Sequence, residues 1–184
     1  MNGGDLGLLL ASQGRIFTAS DADQNDLVTG QTSFVSTTPT FLIDVPSGTT
    51  IVPLLVSLGQ TGTVAGDTVN VIIELDNADR YNTGGTSETV FNNKTAGGVF
   101  TNAATLYSNP TAETGYGIRA FGISVAQDVA PAEGISNEVL WTPTSTPEFL
   151  VGPAAFLVYT YATTTGPTWF WTIKWAEIPT TWFS

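Results

Sequence analysis

The sequence predicts an all-β protein with little helix, and three features carry that reading. First, thirty of the 184 residues are threonine while only 11% are charged, against about 25% in an average soluble domain. Threonine is β-branched and suits a pleated surface. Second, apolar residues recur with a period of two, most plainly at Trp169, Trp171, Ile173 and Trp175, where Thr172, Lys174 and Ala176 fill the even positions and only Phe170 interrupts. Successive strand side chains point to opposite faces, so this is a strand with one buried side. Third, turn residues punctuate the chain every ~8–12 residues, and no stretch of about twelve shows helical periodicity. The resulting count of about eight to ten short strands is that of a sandwich or barrel. One domain of this length buries a sizeable core without disulfides or metal.

Taken in order, residues 1–30 read as an N-terminal arm or edge segment, with a short strand near 15–18 and an acidic loop at 21–26. Residues 31–184 form the single β domain. Its first strands are expected at 32–37 and at 40–45 (TFLIDV), followed by a Pro46-Ser47-Gly48 turn, in which proline presets φ and glycine suits the exit. Residues 49–59 continue as a long strand in which Pro53 marks an edge or a bulge. In residues 67–76, Val69, Val71, Ile73 and Leu75 alternate with Asn70, Ile72, Glu74 and Asp76.

The polar, glycine-rich segment 77–98 reads as a surface excursion carrying one short strand at 89–91. Residues 99–107 suit either a strand or a short helix. In 116–126 the pattern resumes, with Phe121, Ile123 and Val125 on the buried side together with Arg119, and Ile118, Ala120, Gly122 and Ser124 opposite. Short strands at 138–142 and 149–151 lead to residues 155–178, two strongly strand-like runs joined by a Thr/Gly/Pro turn, which read as a hairpin.

Composition excludes much chemistry. The chain has no cysteine and no histidine, which removes thiol and Ser-His-Asp catalysis, Cys- and His-ligated metal sites and the commonest general base. The net charge is −11, and the five cations, Arg15, Arg80, Lys94, Arg119 and Lys174, are scattered from end to end. Without a basic patch, direct nucleic-acid binding is not expected, and an acidic chain is repelled by anionic membranes. No run has membrane-spanning length or the form of a targeting signal, so use without Sec-type export is expected.

Two segments resemble a known family. TFLIDVPSGTTIVPLLVSL at 40–58 is similar to the strand, Pro-x-Gly-Thr turn and strand near the start of viral and phage single jelly-roll structural proteins. WFWTIKWAEI at 169–178 is similar to their aromatic, Glu-terminated last strand. The resemblance implies an eight-stranded jelly-roll β-sandwich of two antiparallel sheets. It also implies a virion location after synthesis in the host cytoplasm, and a non-enzymatic capsid or capsid-associated role in homo-oligomers with other virion proteins. The chain departs from one common pattern in lacking a basic N-terminal arm, which leaves major, penton, minor and decoration roles open.

The candidate sites follow. Asp21, Asp23 and Asn25 place oxygen ligands at alternating positions, as a Ca²⁺ loop does, but Asp26 stands where its glycine belongs and Thr32 where its bidentate Glu belongs. A solvated acidic loop is the competing reading, and no other cofactor is expected. Glu74 with Asp76 is a carboxylate pair two residues apart on one strand face, as is found on polar outer faces. Asp76, Asn77 and Asp79 form a second oxygen cluster. For contact with neighbouring subunits the candidates are Phe156, Val158, Trp169, Trp171, Trp175, Trp182 and Phe183. The same tryptophans would serve the alternative function, a carbohydrate-binding or adhesion module with a sugar-stacking platform.

Overall fold

Two antiparallel sheets pack face to face. The structure is a computed structural model and describes residues 3–21, 26–61, 64, 67–95, 100–127, 138–142 and 148–183. Helix α1 (Gly3–Ser12) leads into β1 (Ile16–Ser20) and β2 (Val28–Thr29), and then come β3 (Phe41–Val45), β4 (Thr49–Gln60) and β5 (Thr68–Asp76). The excursion carries β6 (Tyr81–Thr83), β7 (Thr86–Ser87) and β8 (Phe91–Asn92), followed by β9 (Thr105–Ser108) and β10 (Thr111–Ala112). Next are β11 (Ile118–Ala126), β12 (Glu138–Trp141), β13 (Leu150–Val151), β14 (Ala154–Tyr161) and β15 (Thr168–Pro179), with a 3₁₀ turn at Thr180–Phe183.

One sheet, the β15 sheet, runs β12-β4-β15-β1-β8, with β13 also paired to β4 and β2 to β15. The other, the β14 sheet, runs β11-β5-β14-β3-β9-β7, and β10 and β6 form a separate two-stranded ribbon. The long pairings are nested: β1 with β15, β3 with β14, β4 with β12 and β13, and β5 with β11. Successive couples alternate between the sheets.

This order corrects the expected hairpin at 155–178. β14 lies between β5 and β3 in one sheet, and β15 between β4 and β1 in the other, so residues 162–167 arch over the core and do not form a hairpin turn. Both runs are apolar enough for central strands, and alternation identifies a buried face without saying which sheet supplies it. The 46–48 turn likewise crosses between sheets, with Gly48 at φ 85°, a left-handed conformation that glycine adopts without strain.

Between the sheets, Trp169, Trp171, Ile173 and Trp175 meet Phe41, Ile43, Val71, Ile73, Phe156 and Val158. The rings of Phe41 and Trp171 lie 4.9 Å apart. Each large apolar side chain buried there contributes about 1.5–3 kcal/mol relative to exposure. Pro53 settles as a bulge. Lys174 faces Leu55 but Trp175 faces Pro53, leaving Leu54 as the extra residue. That residue switches the inward set of β4 from Val56 and Leu58 to Ile51, and turns Val52 outward. Pro53 therefore sits in a central strand where the ladder is already interrupted.

Each sheet also has a covered outer side. On the β15 sheet, Leu10 of α1 packs with Val52, Ala176 and Ile178. Within the segment read from sequence as an arm or edge, α1 lies over this sheet and β1 runs between β15 and β8. On the β14 sheet, Leu42, Ile72, Leu157 and Tyr159 are covered by Phe34, Tyr81 and Tyr107 among others. The strand expected at 32–37 is absent, and those residues form bends and turns instead. Phe34, with its ring 5.0 Å from Tyr159, is part of this cover.

Candidate functional site

The residues nominated for subunit contact fall inside the single chain. Phe156, Val158, Trp169, Trp171 and Trp175 are all 3% exposed or less and belong to the inter-sheet core. Their period of two reported burial correctly, but the burying surface is the facing sheet of the same chain and not a neighbour. The same fact removes the tryptophans from any sugar platform. Trp182 and Phe183 lie in the closing 3₁₀ turn, and their side chains fall outside the described residues.

Of the proposed Ca²⁺ ligands, Asp21 directly follows β1, while Asp23 and Asn25 lie outside the described residues. Burial, opposed by the Ser108 hydrogen bond and reinforced by the nearby charges of Asp26 and Asp21, pushes the Glu88 carboxyl above its ordinary value. Ser108 Oγ donates to Glu88 Oε1 at 2.5 Å. Among the described residues, no group of three acidic side chains is placed to hold a metal ion.

The carboxylate pair is divided between two guanidinium groups. Asp76 Oδ2 accepts from Arg80 Nη1 at 2.7 Å, and Glu74 Oε1 lies 3.8 Å from Arg119 Nη2. Glu74 is 2% exposed. It lies on the outer side of the β14 sheet opposite Leu157, one of the residues covered there. Asp76 and Asp79 also accept backbone N–H bonds from Ala78 and Tyr81, which shapes the loop into Asx turns. Arg80 is buried and spans three backbone carbonyls, those of Ser36, Glu113 and Gly115. Arg80 thus ties loop segments to the end of β5, while the Glu74–Arg119 pair links neighbouring strands of one sheet.

Comparison with protein-family models, with curated protein sequences and with solved structures gives no match. The surface itself is therefore what remains to identify a site.

An open, largely apolar surface lies at the start of β11. A cleft of about 470 Å³ is lined by Leu75, Asp76, Tyr116, Ile118, Phe149 and Leu150 among others. Tyr116 and Ile118 are 75% and 76% exposed. Gly117 between them passes so close to the backbone that a Cβ there would meet the Leu75 carbonyl oxygen at 2.5 Å, so the chain reaches this position only with glycine. β11 then runs as the end strand of its sheet, paired among the described residues with β5 alone.

Sequence reasoning placed Phe121, Ile123 and Val125 on the buried side, and they do pack on the core, though each is only half-buried. Arg119 is on the other side. The register shift between Arg119 and Phe121 leaves Ala120 as a bulge and puts Arg119 opposite Glu74, alongside Gly122 and Ser124 on the outer face. On that face a second cleft of about 460 Å³ lies along β11, lined by Asn70, Ile72, Arg119, Gly122, Ser124 and Tyr161 among others. The exposed pair Tyr116 and Ile118 was in view in the sequence, but nothing there distinguished an end strand from a central one.

Proposed function

We propose that this protein is a non-enzymatic structural subunit of a virus or phage particle, a single jelly roll whose work is assembly into symmetric oligomers. Its support is the strand order. Four nested antiparallel couples dealt alternately to two sheets are what a double-sheet jelly roll requires, and the two segments that resemble such proteins occupy β3–β4 and β15. The subunit is made in the host cytoplasm and resides in the virion, as a capsid or capsid-associated component beside its own copies and other virion proteins. Exposed apolar surface around Tyr116 and Ile118 supplies material for contacts, and symmetry repeats a modest contact around a shell. A carbohydrate-binding module of the same architecture has less support, because the tryptophans that would form its platform are buried.

Light scattering and negative-stain microscopy of the purified protein test the proposal. The expected result is trimers, pentamers or larger closed particles. A chain that stays monomeric at micromolar and higher concentrations, and is missing from purified particles of its source, overturns it.

A further inference from the structure

The strand at one end of the β14 sheet has the properties of a seam. β11 is nine residues long and pairs with β5, and among the described residues nothing pairs with its other edge. The opposite end of that sheet is the two-residue β7, and the ends of the β15 sheet are β12, of four residues, and the two-residue β8. A long free edge presents a row of backbone N–H and C=O groups that only another strand satisfies in full. Past the bulge at Ala120, the register from Phe121 to Ala126 is regular, so the edge is straight enough to pair.

Charge and side chains indicate the occupant. In a chain of net charge −11, residues 114–127 contain no carboxylate and one cation, Arg119, so two copies meeting along this strand bring no carboxylates of the strand itself together. On the core side, Phe121, Ile123 and Val125 are half-buried, whereas their neighbours on β5, Val69, Val71 and Ile73, are fully buried. The core is incompletely covered along this flank. A second β11 running antiparallel, with Ile123 facing Ile123, would set Phe121 against Val125 of the second copy and Val125 against Phe121. That is a self-complementary array of aromatic and β-branched pairs.

We infer that two copies of this chain join edge to edge along β11 about a two-fold axis, fusing their β14 sheets into one continuous sheet. The inference rests on the assembly reading above and names the surface that would carry it. The contact is isologous, with each copy covering the half-buried flank of the other and leaving Arg119 on the outer face, clear of the apolar row.

The chain has no cysteine, so a single introduced thiol reports the register cleanly. Facing residues of antiparallel strands have Cα atoms about 4.5–5.5 Å apart, within the range a disulfide spans. Ile123→Cys is therefore expected to form a covalent dimer under mild oxidation at micromolar protein, while Ser87→Cys, on the exposed short strand β7, stays monomeric. The second variant avoids the core. Gly122 is exposed, and a Cβ there meets nothing nearer than Arg119 Cδ at 3.7 Å. Gly122→Glu puts two carboxylates diagonally across the seam and is expected to raise the dimer Kd about five- to ten-fold without loss of fold by circular dichroism. Ile123→Cys linking no more than Ser87→Cys, or Gly122→Glu leaving association unchanged, overturns the inference. If the unsubstituted protein still assembles in that case, the surface was wrong and the assembly reading stands. If it is a monomer throughout and is missing from purified particles of its source, both fall.

Discussion

The indole Nε1 of Trp169 donates to the hydroxyl of Thr160 at 2.9 Å, a buried bond that crosses from the β15 sheet to the β14 sheet. Thr160 Oγ1 also lies 2.9 Å from Thr40 Oγ1, and Thr40 Oγ1 accepts the Thr160 N–H at 3.0 Å. This small polar network allows a tryptophan to be fully buried with its nitrogen satisfied. Thr160→Val keeps the shape and removes the acceptor, leaving the indole N–H buried and unpaired. The expected loss is about 1–3 kcal/mol, read as a lower midpoint in urea at unchanged slope.

Glu177 is buried beside the segment before β9. Its Oε1 accepts from Trp175 Nε1 at 3.0 Å and from the Ala104 N–H at 3.1 Å, and its Oε2 accepts the Ala103 N–H at 2.7 Å. Glu177→Ala orphans three donors at once and is expected to cost at least ~2 kcal/mol. Hydrogen exchange should quicken at the amides of Ala103 and Ala104 before it does so in β14.

Asp67 fastens the arch between β14 and β15. Its carboxylate accepts from the Thr163 hydroxyl and the Thr68 N–H, both at 2.6 Å, and from the Thr164 N–H and hydroxyl at 2.7 and 2.9 Å. The Thr163 bond first, then that from Thr68, with those of Thr164, hold this carboxyl well below the ordinary range despite some desolvation. A depressed carboxyl contributes stability above its unfolded value of about 4 and loses it as the pH falls further. Asp67→Asn should therefore melt below the unsubstituted protein at pH 6, with the gap closing as the pH is lowered below about 4. Glu88 has the opposite sign, since burial raises its carboxyl. Neutralising it as Glu88→Gln should narrow any gain in stability on mild acidification.

Reading the sequence by period succeeded where one face of a strand meets a core. The strands at 41–45, 49–60, 68–76 and 118–126 were located within a residue or two, and the alternation of Trp169, Trp171, Ile173 and Trp175 named four core residues. It failed where the answer depends on which sheet a strand joins. β14 and β15 are adjacent in sequence and both carry an apolar face, and only the arrangement of the other strands assigns them to different sheets. The helix α1 was invisible because Gly3, Gly4 and Gly7 weaken its propensity and its apolar contact rests on Leu10 packing on the sheet. Phe34 looked like a strand residue because a loop that covers an outer sheet face needs the same kind of side chain as a strand that fills a core.

The nested pairing also governs when the protein can fold. β15 comes last in sequence among the strands of the described residues, yet it lies in the middle of its sheet, where Ile16 faces Ala176 and Thr50 faces Ile178. Until it emerges, β4 and β1 have no common neighbour and the aromatic half of the core is missing. Closing such distant ends delays folding, so the nascent chain carries exposed β edges throughout its synthesis. A cell producing it in quantity must keep those edges apart until β15 slides in.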